Sequence, residues 1–144
     1  MSNIPAIDHA AQQAHEWVNE VKRLLQVPGE HSAYAALRGV LHQLRDRLPA
    51  KEVTDLGAQL PTLIRGVYYE GWNPLAGPQP IHHAEEFVGD LIKKLHGHEE
   101  IHAESAIRAI FTLLDARISK GEISDVIATL PDEIKAFWPP RHAA

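Results

Sequence analysis

Apolar residues recur at three- and four-residue spacing along almost the whole chain, and they never alternate with a period of two over a useful length. That pattern predicts an all-α fold. A first helix is predicted from Asp8 to Gln26, with Ala14, Trp17, Val18, Val21, Leu24 and Leu25 on one face and Pro28 and Gly29 as its stop. A second runs from Glu30 to Arg47 on the stripe Ala33, Ala36, Leu37, Val40, Leu41 and Leu44. Gly39 lies inside it, where glycine costs about 1 kcal/mol against alanine. A neighbouring helix is therefore expected to come close at that point. Pro49 and Pro61 open two short helices carrying Val53, Leu56 and Leu60, then Ile64, Val67 and Tyr68. Proline suits a first helical turn because the N–H it lacks would be unpaired there.

Residues 71–80, GWNPLAGPQP, break every periodicity and read as a linker. The pattern then starts again. A fifth helix carries Phe87, Val88, Leu91, Ile92 and Leu95. A sixth carries Ala103, Ala106, Ile107, Ile110, Phe111, Leu114 and Ile118. Ser119 and Glu122 form an S-x-x-E capping pattern that starts a seventh, with Ile123, Val126, Ile127 and Leu130 inward. Pro131 opens the last, with Ile134, Phe137 and Trp138.

Shifted by 70 positions, the second half aligns on the first without a gap. Trp17 meets Phe87, Val18 meets Val88, and Leu25 meets Leu95. Arg38, Leu44 and Arg47 meet identical residues at 108, 114 and 117. Glu52, Asp55, Ala58, Leu60, Pro61 and Ile64 meet identical residues at 122, 125, 128, 130, 131 and 134. The expected architecture is a tandem duplication of a four-helix unit packed as one compact helical domain, with repeats at 8–70 and 81–139. Arg47, Glu52 and Asp55, repeated as Arg117, Glu122 and Asp125, are expected to form an Arg-to-carboxylate clamp across each helix corner. A ligand site is the alternative for the same residues.

At 144 residues the chain is long enough to bury a core without staples. It has no cysteine, which excludes disulfides, thiolate metal sites and cysteine nucleophiles. Met1 to Asp8 does not read as a signal peptide, and no apolar run is long enough to span a membrane. The net charge is −5 with scattered Lys and Arg, so a nucleic-acid surface is not expected.

The 10 histidines read mainly as solvated surface groups. His98-Glu99-Glu100-Ile101-His102 formally matches the zinc peptidase motif H-E-x-x-H, but it falls in a helix joint rather than within a helix, and no third ligand is recognisable. His96, His98 and His102, with His82 and His83 nearby, remain a candidate zinc or nickel site. No cofactor is otherwise expected. His42, Arg45 and Asp46 are placed on the polar face of the second helix. Ser32, Ser105, Ser119 and Ser124 sit in capping contexts, so no serine nucleophile is expected. Gly57 and Gly66, inside helical patterns, are expected at close helix contacts. Arg65, Tyr68, Tyr69 and Trp72 end the first repeat and are the candidate partner-binding residues. Trp138 stands where Tyr68 does, which favours a core role for that position.

The stretch AYAALRGVLHQLRDRLPAKEVTDLGAQLPTLIRGVYYEGW, with its LRDRLP, GAQLP and GVYYEGW segments, resembles the bacterial domain-of-unknown-function family DUF2267. AIRAIFTLLDARISKGEISDVIATLPDEIKAFWP resembles the C-terminal part of the same family. The resemblance covers roughly Ala14 to Pro139. It implies a bacterial, cytoplasmic helical protein and carries over no catalytic residue, and the histidines are not among its shared segments. The expected function is a non-enzymatic interaction or scaffold module that binds a protein partner or itself. The alternatives are a metal-binding or metal-sensing protein using residues 82–102, and a carrier of an apolar ligand between the repeats.

Overall fold

The computed structural model describes residues 3–141. Among them are eight α-helices and no strand, as the periodicity predicts. They are α1 (Pro5–Leu25), α2 (Glu30–Arg45), α3 (Ala50–Ala58), α4 (Thr62–Tyr69), α5 (Ala84–Lys94), α6 (Ala103–Arg117), α7 (Lys120–Ala128) and α8 (Asp132–Lys135).

α1 starts three residues earlier than expected because Pro5 occupies its first turn. It ends at Gln26, which takes the left-handed conformation (φ 57°) and donates its amide to the Lys22 carbonyl. Pro49, Pro61 and Pro131 stand one position before their helices, as extended N-cap residues rather than first helical residues.

The core is one continuous cluster running through both halves of the chain. α2 and α6 pack on each other at its centre. α1 packs on α2 and α6, and α5 packs on the same two helices. α3 packs on α7, while α4 lies on α1 and α8 on α5. Every predicted inward residue of α6 is buried. Tyr68 and Trp138 are both buried, and Trp138 stacks on Phe111 at 4.1 Å. Ile92 departs from expectation. It is 58% exposed, because α5 turns only Phe87, Leu91 and Leu95 fully inward.

α2 corrects the expectation more sharply. His42 and Arg45 are buried, not on a solvated face. α2 is surrounded by α1, α4, α5 and α6, so its polar side chains turn to backbone carbonyls. His42 Nε2 donates to the Val67 carbonyl at 2.6 Å. Burial holds its imidazole below the usual histidine range. Arg45 donates to the carbonyls of Tyr68 and Glu70, both at 2.7 Å, and to Asp46. These two side chains thus satisfy the carbonyl end of α4. Gln43 donates to the Phe87 carbonyl at 3.1 Å and ties α2 to α5.

Gly39 meets the close approach expected of it. A Cβ there would sit 3.1 Å from Leu91 Cδ1 and 3.4 Å from Leu95 Cδ2. Gly39→Val is accordingly expected to cost about 1–3 kcal/mol by overpacking α2 against α5, read from the urea midpoint. Gly57 is filled by the Tyr69 ring, whereas Gly66 faces open space and has no packing reason.

Candidate functional site

The aromatic corner at the end of α4 is built inward. Tyr68 is fully buried and donates its hydroxyl to the Val53 carbonyl at 2.8 Å. Burial pushes that hydroxyl above the usual tyrosine range. Tyr69 packs edge-on to Tyr68, and Trp72 lies 5.6 Å from Tyr69, both partly buried against the core. Arg65 spends its guanidinium on the end of α3, donating to the carbonyls of Gly57, Ala58 and Leu60. Tyr68 is therefore withdrawn from any surface, and Arg65 is engaged as a helix cap.

The histidine joint between α5 and α6 is a turn, as expected. His102 is the N-cap of α6 and accepts from the Ser105 amide at 3.2 Å. His98 lies 3.6 Å from Glu100, whose carboxylate takes the Ser32 hydroxyl from α2. That hydrogen bond holds Glu100 below its ordinary range. His96, His98 and His102 line one shallow hollow with Val88, Ile92 and Leu95. Among the described residues, these three histidines do not bring their ring nitrogens within 4.8 Å of one another; the group that does converge so closely is made of carboxylates.

That group is Glu52, Asp55 and Glu122, whose ligand oxygens all lie within 4.8 Å of one another. Its origin is local. Glu52 and Glu122 are each the third residue of their helix, where a glutamate ordinarily turns back to the N-cap amide. The N-cap of α3 is Pro49, which has no amide hydrogen to offer. The N-cap of α7 is Ser119, which accepts from the Glu122 amide, but its own N–H is taken by Gln59 at 2.9 Å. The expected capping box is thus half formed. Both glutamates turn instead into the contact between α3 and α7. The Oε2 atoms of Glu52 and Glu122 are buried with no hydrogen-bond partner. Burial first, then the charges of Glu52, Asp55 and Asp125, push the Glu122 carboxyl up to about 7.

The expected Arg-to-carboxylate clamp does not form. Arg47 is buried and donates to Gln79 at 2.8 Å and Asp90 at 2.7 Å, with its guanidinium 6.0 Å from the Phe87 ring. It thereby ties the end of α2 to the linker and α5. Arg117 is exposed. The offset of 70 does single out Glu52, Asp55, Glu122 and Asp125, but the first three converge on one another rather than on arginine.

The last feature is an apolar groove along α5. Ala84, Val88, Gly89 and Ile92 form its floor, with Ala136 and Phe137 after α8 on one side, enclosing about 560 Å³. It continues past Glu104 into the histidine hollow, which adds about 480 Å³. Glu85, Glu99, Glu104 and Glu133 stand on its rim. Glu133 also accepts from the Ala84 amide at 3.0 Å and pairs with His83 at 2.9 Å, which raises the imidazole above its usual range. No sequence signal marked this groove, since α5 reads as having Val88 and Ile92 on its buried stripe.

Among the described residues, no helix is long and apolar enough to cross a membrane. The family described as "Uncharacterized conserved protein (DUF2267)" matches residues 14–137. No curated protein matches the chain.

Proposed function

The chain belongs to the DUF2267 family, and from that footing we propose that it is a non-enzymatic interaction module that docks an amphipathic helix in the α5 groove. The observation that carries this reading is Ile92, a large apolar residue 58% exposed on the floor of an apolar trough. Helix-in-groove recognition uses such a trough, with anchors at i, i+3, i+4 and i+7. Val88 and Ile92, one turn apart, would supply the floor contacts. The carboxylates of Glu85, Glu99, Glu104 and Glu133 outnumber Arg108 on the rim, so a partner helix with basic flanks is the complementary one. The two halves, 8–70 and 81–139, are on this reading copies of one four-helix unit. The exchange pattern of their contacts supports that, with α1 and α5 each lying on both α2 and α6.

The test is an NMR titration with a synthetic lysine–leucine amphipathic helix, beside its glutamate–leucine counterpart. Shifts confined to residues 84–104 and 133–137, with the lysine peptide only, are expected. Ile92→Glu is expected to weaken binding by about tenfold or more while changing stability by less than about 0.5 kcal/mol. Equal binding of both peptides, or shifts elsewhere, would remove the reading. A dimer in native mass spectrometry that Ile92→Glu dissociates would make a second copy the occupant instead.

A further inference from the structure

We propose that Glu52, Asp55 and Glu122 form a binding site for a single hard divalent cation, of calcium or manganese size, at the contact between α3 and α7. Three carboxylates from two helices already bring their ligand oxygens within 4.8 Å of one another. Two oxygens bound to the same ion at the 2.3–2.6 Å of calcium lie at most about 5 Å apart. The trio therefore stands close to the spread that one such ion spans, and side-chain rotations would close it around the ion.

Proximity of acids alone would not identify a site. The second observation is Glu122 itself, which is 9% exposed, with its Oε2 buried and without a hydrogen-bond partner, and whose carboxylate contributes a ligand oxygen to the cluster. Glu52 Oε2 is orphaned in the same way. A buried carboxylate oxygen without a donor costs free energy unless a cation or a proton answers it. A cation beside the cluster, Lys51, is 79% exposed and pairs with Asp55 Oδ2 at 2.7 Å. It leaves the two buried oxygens of the glutamates unanswered. An all-oxygen, anionic set suits hard cations such as calcium and manganese. The site is independent of the histidine joint and of the α5 groove.

The site also has a structural consequence. A cation there would join the first turn of α3 to the first turn of α7, one from each half of the chain. At neither helix start does the glutamate find an N-cap amide to accept from, so the cation would serve as the partner of both carboxylates instead.

The experiment is calorimetric titration of the chelator-treated 144-residue chain with Ca²⁺ and, separately, Mn²⁺, followed by NMR with substoichiometric Mn²⁺. One equivalent is expected to bind, and Mn²⁺ is expected to broaden the amides of 50–58 and 120–128 first. Glu52→Gln and Glu122→Gln should each weaken binding by about tenfold or more. His98→Ala with His102→Ala should leave it unchanged. If Glu122→Gln fails to fold, Asp55→Asn, on a half-exposed side chain, must show the loss instead. The absence of saturable binding, broadening centred elsewhere, or full affinity in the glutamine variants overturns the proposal.

Discussion

Arg45→Ala is expected to destabilise the protein by about 3–5 kcal/mol, seen as a lower urea midpoint with little change in slope. The guanidinium is 4% exposed and serves the carbonyls of Tyr68 and Glu70 together with the Asp46 carboxylate. Truncation leaves two inward-facing carbonyls at the end of α4 without a donor, each costing about 1–3 kcal/mol, and opens a void beside them. Arg45→Lys is expected to recover only part of the loss. An ammonium can replace one of these contacts but not the fixed fork that reaches all three. A loss under about 1 kcal/mol for Arg45→Ala would mean that α4 does not depend on α2 for its carbonyl end.

Glu122→Gln is expected to act in the opposite direction. In chelator-treated protein at pH 8 it should raise stability by up to about 3 kcal/mol, from a carboxyl moved from 4.5 up to about 7 at about 1.4 kcal/mol per unit. The folded state holds this proton more tightly than the unfolded chain. Its stabilising contribution is therefore complete below about pH 4.5 and is lost as pH rises through about 7. The wild-type protein should weaken across that window relative to the glutamine variant, and the two curves should run parallel above it. His42 works the other way. Its imidazole is held neutral, so its contribution is present above the unfolded histidine value of 6.5 and declines as pH falls. The two slopes partly cancel in the wild-type curve. The difference between wild type and Glu122→Gln isolates the carboxyl, measured by urea denaturation at several pH values.

Helix existence was legible because burial in a helical protein repeats every third or fourth residue, and that signal is written into each segment alone. Gly39 was legible for a related reason, since a glycine in a helix interior is costly unless something fills the space of its missing side chain. His42 and Arg45 were not legible. By periodicity they belong to a solvated face, and the carbonyls that bury them arrive from α4, 23 to 25 residues away. Ile92 failed in the converse way: its stripe is apolar, yet no described element covers it. The carboxylates lie between these cases. The repeat offset marked Glu52, Asp55, Glu122 and Asp125 as a set. Arginine is the partner that the sequence pattern offers, because Arg47 and Arg117 precede the helix starts that carry these carboxylates. The missing amide of Pro49 and the engagement of the Ser119 amide by Gln59 redirect both glutamates inward, and only the second of these needs the tertiary structure.

That redirection is the centre of the account, because the pH behaviour and the cation site both follow from it. Its most direct test is a side-chain carboxyl ¹³C NMR titration of the chelator-treated protein, with Glu122 assigned by its glutamine variant. A Glu122 midpoint near 7, returning toward the ordinary range in Glu52→Gln, is the result expected if the two helix starts press their glutamates together. A midpoint near 4.5 in the wild-type protein would place the carboxylate in water and contradict the account.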